Sequence, residues 1–450
     1  MTAIILALAK LGDYIQATPL FRGLSQRYAN LIFIGSQKSA LEAAELSGLF
    51  SETLLIDPSD QKALENFKAP KAKAIYNLSL APAALRVLAK IQDKQSQLTI
   101  FGPQLENGLT RLPPTQALAL AIMSQNRRWA PFNLVDIWRR LEPGYLAPNE
   151  LYWPTAASKD QEKPRDSRLK VGLALGAGNA RRRWPRECFQ DLARKLSESL
   201  KAQIILLGAP AEKALGKALV KALSQSLSLG EDLIDLVGQT NLRELTQITR
   251  GLDLLIASDT GLTHLAAALG TKVLGLYFGP ALAQETGPYA GENLVAQTLA
   301  PCGPCPESRP CPERVCLELP ETSLVLKAAR NVLGHKDPEP EPISPAKGGL
   351  GVVKIDEFGF KLEFEPQKTQ PDLLIAQVIR EAARASLDPN YQPRIQALNL
   401  EDLKLEPDFW LTLASRIFEA PNPALSPKNF LGALESFGLL SGQRTLRAQA

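Results

Sequence analysis

The sequence predicts an α/β protein with two parallel-sheet domains that face a common cleft, followed by a C-terminal α+β extension. Short apolar runs alternate with amphipathic helical patterns over residues 1–154, and the same alternation returns over residues 169–335. A polar, charged segment, residues 155–168, separates the two halves and is typical of an interdomain linker. Such alternation favours parallel sheets covered by helices on both faces, and their ligands bind beyond the carboxyl ends of the strands.

We expect the first half to begin with a buried strand and not with a targeting signal. Residues 1–13 lack a charged amino-terminal region, and their apolar run is short. Thr18 and Pro19 predict the start of the first helix, because threonine caps helices and proline suits the first helical position. The predicted strands are 4–7, 31–34, 53–56, 74–78 and 98–101, and the predicted helices include 19–28, 38–46 and 82–91.

The second half repeats this organisation. Pro185 is predicted to open a helix, because apolar residues follow it at the spacing of one helix face. These residues are Phe189, Leu192, Leu196 and Leu200. The predicted strands are 171–175, 204–207, 233–236, 254–257 and 273–277.

The last part of the chain, residues 336–450, has a different character. Residues 337–346 are rich in proline, which excludes a regular helix or an interior strand there. Apolar and polar residues alternate over residues 351–366, as in a β-hairpin. Residues 373–387 and 429–440 have the apolar spacing of helices. This extension is either a small third module or a segment packed on the main body, and it carries no recognisable chemical motif.

Composition restricts the class of function. The 450 residues carry a net charge of +4, which lacks the strong basic bias of a nucleic-acid-coating protein. This net charge is compatible with binding either an anionic small molecule or an anionic membrane surface, and it does not distinguish between these two partners. Because no apolar stretch reaches the roughly 18 residues of a membrane span, we expect a soluble cytoplasmic protein, at most peripheral on a membrane. Two histidines, His264 and His335, are too few for a His-rich catalytic metal site.

An acidic residue follows the first strand at the edge that faces the predicted cleft. Gly12 permits a tight turn and a close backbone approach. The carboxylate of Asp13 could take a proton from an acceptor hydroxyl as a general base. The alternative is an aspartate that only caps a helix or stabilises the turn.

A glycine-rich turn with three arginines lies between the first strand and the first helix of the second half. Its backbone N–H groups at Gly176, together with Arg182 and Arg183, could bind a phosphate. It is neither a Walker A loop nor a complete GxGxxG, so a dinucleotide oxidoreductase lacks support. The alternative is a solvated basic turn.

A second anion-binding segment follows the strand at 254–257. Asp259, Thr260 and Gly261 precede a strongly helix-forming run, so the start of that helix would present free N–H groups to an anion. His264 in its first turn could donate a hydrogen bond to a phosphate, although a lone histidine is more often structural. Glu212, after the strand at 204–207, could accept hydrogen bonds from ribose hydroxyls, or simply occupy the first turn of a helix.

Four cysteines form a C-x2-C-x5-C-x4-C cluster: Cys302, Cys305, Cys311 and Cys316. Thiolates so close in sequence could bind a structural zinc ion or, less readily, an iron–sulfur cluster. The alternatives are buried free thiols or a compact loop rich in proline and cysteine.

These segments together resemble glycosyltransferase family 9, the ADP-heptose:lipopolysaccharide heptosyltransferase family, over about residues 1–330. The resemblance rests on LGDYIQATPLFRGL, LALGAGNARRRWPRECFQDLARKL and ILLGAPAEKAL, and most specifically on DLVGQTNLRELTQITRGLDLLIASDTGLTHLAAALGTKVLGLYFGP. It implies a GT-B fold whose second half binds the nucleotide sugar and whose first half binds the acceptor. It also implies an inverting transfer that needs no metal at the reaction centre.

The resemblance also assigns roles to individual residues. Asp13 matches the family's proposed general base, and Arg182 stands where members often carry lysine. Gly12 and Thr18 would lie on the acceptor side. The predicted donor-binding residues are Gly176, Arg182, Arg183, Glu212, Asp259, Thr260, Gly261, Leu262 and His264.

The expected function is transfer of heptose from ADP-heptose to the Kdo/heptose inner core of lipopolysaccharide, a lipid-linked acceptor at the cytoplasmic face of the inner membrane. Two alternatives stay open. One is a family-9 transferase that uses another nucleotide sugar for a surface polysaccharide. The other is a non-catalytic nucleotide-sugar-binding scaffold whose extension binds partners.

Overall fold

The computed structural model describes residues 1–388 except 94, 96, 107, 126, 155–167, 299, 301, 307–309, 318–319, 336–348 and 366–370. This part of the chain forms two Rossmann-like domains, each built on a parallel sheet. The proline-rich tether at 337–346, the predicted helix at 429–440 and nearly all of the predicted linker lie outside the described residues. Among the helices that are described, none is both long and apolar enough to cross a bilayer.

The first domain contains a five-stranded parallel sheet in the order β3-β2-β1-β4-β5. Successive residues of β1 are buried on opposite faces of this sheet, so helices cover both faces. The strands are β1 Thr2–Ala7, β2 Asn30–Gly35, β3 Glu52–Leu55, β4 Ala74–Asn77 and β5 Thr99–Phe101. The helices are α1 Leu11–Ser25, α2 Lys38–Ser47, α3 Gln61–Asn66, α4 Pro82–Gln92, α5 Pro114–Gln125 and α6 Leu134–Arg139, with a two-stranded ribbon of β6 Gln104–Glu106 and β7 Leu109–Arg111 before α5.

Helix α1 begins at Leu11, so the predicted start at Thr18 and Pro19 is wrong. Pro19 lies inside the helix, where its missing N–H leaves the carbonyl of Ile15 without its usual partner. The hydroxyl of Thr18 donates to this carbonyl over 2.6 Å, which replaces the lost backbone hydrogen bond. Thr18 therefore permits an internal proline instead of capping the helix.

The second domain has the strand order β10-β9-β8-β11-β12-β13, and these strands are parallel. The order reverses between β8 and β11, which is where open α/β sheets bind their ligands. The strands are β8 Lys170–Ala174, β9 Gln203–Leu207, β10 Leu233–Asp235, β11 Leu254–Ser258, β12 Val273–Tyr277 and β13 Leu294–Gln297. The helices are α7 Arg186–Leu200, α8 Lys213–Leu223, α9 Leu242–Gly251, α10 Gly261–Leu269, α11 Ala283–Thr286 and α12 Thr322–Val332.

The described part of the C-terminal extension packs on the main body. Strands β14 Gly349–Ile355 and β15 Phe360–Glu365 form the predicted hairpin, and β14 pairs antiparallel with β13 at the edge of the second sheet. Helix α13, Pro371–Leu387, then packs against α5 and the 3₁₀ turn Arg127–Trp129 of the first domain. The extension thus contacts both domains.

The two domains meet directly through α1 and α10. Tyr14 and Leu20 of α1 belong to the same buried apolar cluster as Leu262 and Leu265 of α10. This shared core brings the amino-terminal ends of the two helices together at the carboxyl edges of both sheets.

Candidate active site

The amino-terminal ends of α1 and α10 touch at two glycines. A Cβ atom added at Gly12 would lie 3.2 Å from the Cα of Gly261 and 3.2 Å from the Cδ2 of His264. A Cβ atom added at Gly261 would lie 3.2 Å from the backbone nitrogen of Gly12. Glycine at both positions therefore permits the ends of the two helices to approach closely. Because the helix ends touch here, any ligand must lie beside this contact and not between the two glycines.

Asp13 lies in the first turn of α1, beside that contact. Its carboxylate accepts a hydrogen bond of 3.2 Å from the backbone N–H of Lys10, so it also caps the helix, as the alternative interpretation proposed. Burial raises the pKa of Asp13, although the Lys10 hydrogen bond and the charges of Lys10 and Arg182 act in the opposite direction. A carboxylate with a raised pKa is a stronger base, which suits proton abstraction.

Arg182 connects Asp13 to Asp259 across the domain boundary. Its Nη1 donates to the Asp259 carboxylate over 2.7 Å, and its charge also acts on Asp13. Asp259 is only 8% exposed, and burial raises its pKa, against the opposing effects of Arg182 and Thr286. Asp13 lies near enough to disfavour the charge of Asp259 further. An acidic residue of the first domain and an Arg–Asp pair of the second thus form one cluster.

The start of α10 has the features of an anion site. Thr260 is the N-cap residue, but its side chain makes no capping hydrogen bond. Its buried hydroxyl oxygen has no hydrogen-bond partner among the described residues. The N–H groups of the first turn therefore lack a side-chain acceptor and can bind an anion that approaches the helix end.

His264 lies inside the contact between α1 and α10. It is 2% exposed, and its Nδ1 has no hydrogen-bond partner in the part of the chain that the structure describes. Burial lowers its pKa to about 4, so the imidazole is neutral near pH 7. A neutral ring can still donate one hydrogen bond. Phosphate binding by His264 stays a prediction.

Gly176 and Glu212 lie together at the ends of β8 and β9. The Glu212 carboxylate would be 3.0 Å from a Cβ atom at Gly176, so a larger residue there would collide with it. Glu212 accepts a 2.6 Å hydrogen bond from the backbone N–H of Ala209. Arg183 approaches it to 4.0 Å from the arginine-rich loop. The three predicted donor residues are therefore neighbours, while ribose binding by Glu212 stays a prediction.

Thr18 is not part of this cluster. It is fully buried, and its hydroxyl oxygen also accepts a hydrogen bond of 2.9 Å from the backbone N–H of Tyr152. The structure therefore gives Thr18 a role in holding α1 against the end of the first domain, away from the cleft.

The four cysteines of the cluster line one small cavity of about 30 Å³, and all are free thiols. The guanidinium of Arg181 donates to the Cys305 sulfur over 2.6 Å, so this sulfur already has a positively charged neighbour. Burial raises the pKa of Cys316, and the other three thiols add to that effect. The residues that the structure describes contain no group of three or more side chains placed to hold a metal ion. The structural zinc ion therefore stays a prediction.

Sequence reasoning missed two arginines of the first domain, Arg127 and Arg128. Both bond to the second domain, Arg127 at Glu285 and Arg128 at the Gly303 carbonyl between the first two cysteines of the cluster. No local motif indicates these contacts, because each partner lies more than 150 residues away in the sequence.

The paired Rossmann-like domains, with a carboxylate of one facing a basic loop and a helix start of the other, define the GT-B class of glycosyltransferase fold. A family model described as glycosyltransferase family 9 (heptosyltransferase) matches residues 148–314. This part of the chain therefore resembles glycosyltransferase family 9, in agreement with the resemblance noted in the sequence. The matched range includes the arginine-rich loop, Glu212 and α10, whereas Asp13 lies before it.

Curated relatives share part of the chain. Lipooligosaccharide heptosyltransferase 2 of Haemophilus influenzae is 30% identical over 131 residues, which are 29% of this chain and 36% of that protein. Lipopolysaccharide heptosyltransferase 2 of Escherichia coli is 27% identical over 162 residues, 34% of this chain and 45% of that protein. The chain therefore matches less than half the length of these relatives.

Solved structures share the fold over a longer range. The glycosyl transferase family 9 structure from Veillonella parvula has a TM-score of 0.53 at 16% identity and covers 74% of this chain and 97% of that one. The E. coli ADP-heptose lps heptosyltransferase II has a TM-score of 0.53 at 18% identity and covers 74% of this chain and 98% of that one. At this identity the similarity establishes the two-domain fold.

Proposed function

We propose that this protein is an inverting glycosyltransferase that moves heptose from ADP-heptose to the Kdo/heptose inner core of lipopolysaccharide. The acceptor would be a lipid-linked saccharide, which the enzyme would bind at the cytoplasmic face of the inner membrane. The names of the relatives support this choice: they include lipopolysaccharide heptosyltransferases, and one solved structure is described as an ADP-heptose lps heptosyltransferase. The observation that carries the proposal is the position of Asp13 opposite Arg182, Asp259 and the start of α10.

In the proposed reaction, Asp13 accepts the proton of an acceptor hydroxyl. The hydroxyl oxygen then attacks the anomeric carbon from the face opposite the diphosphate, and the bond between that carbon and the phosphate oxygen breaks. Configuration at the anomeric carbon is inverted. The raised pKa of Asp13 favours the proton transfer, because a weaker acid has a more basic carboxylate.

The leaving diphosphate gathers negative charge, which the second domain is suited to stabilise. The N–H groups at the start of α10 and the guanidinium groups of Arg182 and Arg183 are held before the reaction starts, so little reorganisation is needed. Asp259 keeps the Arg182 guanidinium at this edge through their ion pair. The donor would lie beside the contact of Gly12 with Gly261, with its ribose toward Glu212.

The choice of donor is tested by calorimetry and a transfer assay on the full chain. ADP should bind more tightly than UDP or GDP, and ADP-heptose should be consumed only when a lipopolysaccharide inner-core acceptor is present. Preferential binding of UDP or GDP would instead indicate another nucleotide sugar. Binding of ADP without transfer to any acceptor would indicate a non-catalytic nucleotide-binding protein.

The role of Asp13 is tested with Asp13→Asn, which keeps the shape of the side chain and removes the base. We expect kcat to fall by roughly 10²–10⁴-fold, the usual contribution of a general base, with ADP affinity nearly unchanged. Asp57→Asn, at an exposed turn of the first domain, is the matched control and should leave kcat unchanged. Normal turnover by Asp13→Asn would exclude Asp13 as the base.

A further inference from the structure

Arg127 of the first domain reaches across the domain boundary to α11. Its Nε donates to one oxygen of Glu285 over 3.0 Å, and its Nη2 donates to the other oxygen. The same Nη2 also donates to the carbonyl of Pro280 over 3.1 Å. The Arg127 side chain is 29% exposed and that of Glu285 is 15% exposed. This is a bidentate, partly desolvated ion pair, which fixes orientation better than a single contact does.

Helix α11 in turn contacts the donor side of the candidate site. Thr286, the residue after Glu285, lies next to Asp259 and acts to lower its pKa, while the Thr286 hydroxyl donates to the Leu282 carbonyl over 3.4 Å. The hydroxyl of the fully buried Tyr277 donates to the Thr286 carbonyl over 3.0 Å. A displacement of α11 would therefore disturb the support of Asp259, and through Asp259 the position of Arg182.

Arg128 makes a second connection from the same turn. Its guanidinium donates to the carbonyls of Ala300 and Gly303, at the start of the cysteine segment. On its other side, the segment is bonded by Arg181, which donates to Pro306 and to the Cys305 sulfur. Arg181 directly precedes Arg182 in the arginine-rich loop. Two paths of contacts thus run from the Arg127–Arg128 turn to the Arg182–Asp259 pair.

We infer that Arg127 and Arg128 are positioning residues: they couple the placement of the first domain to the geometry of the Arg182–Asp259 pair opposite Asp13. Neither side chain needs to touch the substrates. Their effect on transfer rests on the proposed function, whereas their effect on nucleotide binding and on the order of α11 does not. The extension supports this arrangement, because α13 packs against the turn that carries both arginines.

The test compares four variants of the full chain with the wild type: Arg127→Gln, Arg127→Lys, Glu285→Gln and Arg111→Gln. Arg127→Gln removes the charge, and Arg127→Lys keeps the charge without the bidentate geometry. Glu285→Gln removes the same pair from the other side. Arg111→Gln is the control, because Arg111 forms an exposed ion pair with Glu106 in the same domain. The measurements are kcat and KM for ADP-heptose, ADP affinity by calorimetry, and hydrogen exchange of α11 and residues 302–306.

We expect Arg127→Gln and Glu285→Gln to lower kcat/KM by about 10- to 100-fold, the scale of a small misplacement of reacting groups. ADP affinity should fall and hydrogen exchange in α11 should become faster in both. Arg127→Lys should recover part of the loss, while Arg111→Gln should behave as wild type.

Faster exchange in α11 with unchanged ADP affinity and unchanged kcat/KM would overturn the inference and leave only a structural contact. Unchanged exchange would overturn it as well. If Arg127→Gln fails to fold, Glu285→Gln and Arg127→Lys decide by the same measurements. If the wild type transfers no heptose, the proposed function fails, and ADP affinity and hydrogen exchange alone still decide whether Arg127 positions the site.

Discussion

At the scale of single residues, burial competes with nearby charge around the Gly12–Gly261 contact. Burial raises the pKa of both Asp13 and Asp259, although Arg182 acts on each in the opposite direction. Burial also lowers the pKa of His264. In all three groups desolvation has the larger effect, so the charged form is disfavoured. This environment makes Asp13 a better base and keeps His264 neutral.

The neutral state of His264 has a consequence for stability that can be measured. Its pKa falls from 6.5 to about 4 on folding, so the unfolded chain binds more protons between these pH values. The free energy of unfolding should therefore decrease as pH falls from about 6.5 to about 4, by about 3 kcal/mol from this group alone at pH 4. Urea unfolding at several pH values, with wild type and His264→Gln, measures this contribution.

Carboxylates also titrate in the lower part of this pH range. The test is therefore the difference in the free energy of unfolding between wild type and His264→Gln at each pH. The wild-type curve should fall more steeply than that of His264→Gln. Parallel curves would mean that His264 binds its proton equally well in the folded protein, contrary to its burial.

At the scale of elements, α1 shows how one side chain permits an unusual helix. Pro19 interrupts the backbone hydrogen bonding of α1, and Thr18 repairs it through Ile15 while also accepting from Tyr152. The early start of α1 depends on this repair, because it allows the helix to continue through the proline. The early start then places Gly12 and Asp13 in the first turn, next to α10.

Thr18→Val should therefore destabilise the protein. The substitution keeps the shape but leaves the Ile15 carbonyl and the Tyr152 N–H buried without a side-chain partner, at a cost of about 1–3 kcal/mol. The shift of the urea unfolding midpoint measures this cost. Thr18→Ser is the control: it keeps the hydroxyl and loses one methyl group, so most of the stability should return. Equal midpoints for Thr18→Val and wild type would contradict the proposed repair.

At the scale of the whole molecule, Asp136 joins three parts of the chain. It lies in α6 of the first domain and accepts from the Tyr289 hydroxyl of the second domain over 2.7 Å. It also accepts from the Phe360 N–H of the extension over 3.0 Å and pairs with Arg139 at 3.3 Å. Gly359 has a φ of +130° and no side chain, which permits the extension to approach this carboxylate closely. Asp136 thus links both domains and the extension through one buried carboxylate.

Asp136→Ala should weaken the whole assembly. Asp136 and Arg139 are 2% and 3% exposed. Removal of the carboxylate leaves the buried Arg139 guanidinium without its negatively charged partner, at a cost of about 3–5 kcal/mol. The urea unfolding midpoint should fall accordingly. Glu106→Gln, which breaks an exposed ion pair, should change stability by less than about 1 kcal/mol. Similar small shifts for both variants would show that Asp136 does not hold the three parts together.

The candidate site was only partly predictable from the sequence. Asp13, Arg182 and Asp259 were identified because each follows a buried strand of a parallel sheet, and the carboxyl ends of such strands share one edge. The early start of α1 was missed, because an internal proline is usually a helix boundary and its repair by Thr18 depends on a side-chain hydrogen bond. The contact of Arg127 with Glu285 joins positions 158 residues apart, so local sequence patterns could not indicate it.

Periodicity and turn residues within short windows are enough to predict the two αβ domains, the loops that carry the chemistry and the hairpin of the extension. Tertiary structure decided that α1 and α10 meet at two glycines, that His264 is buried, and that the extension bridges both domains. The reason is physical: local patterns specify which face of an element is apolar, whereas the partner of that face is selected by packing across the whole chain.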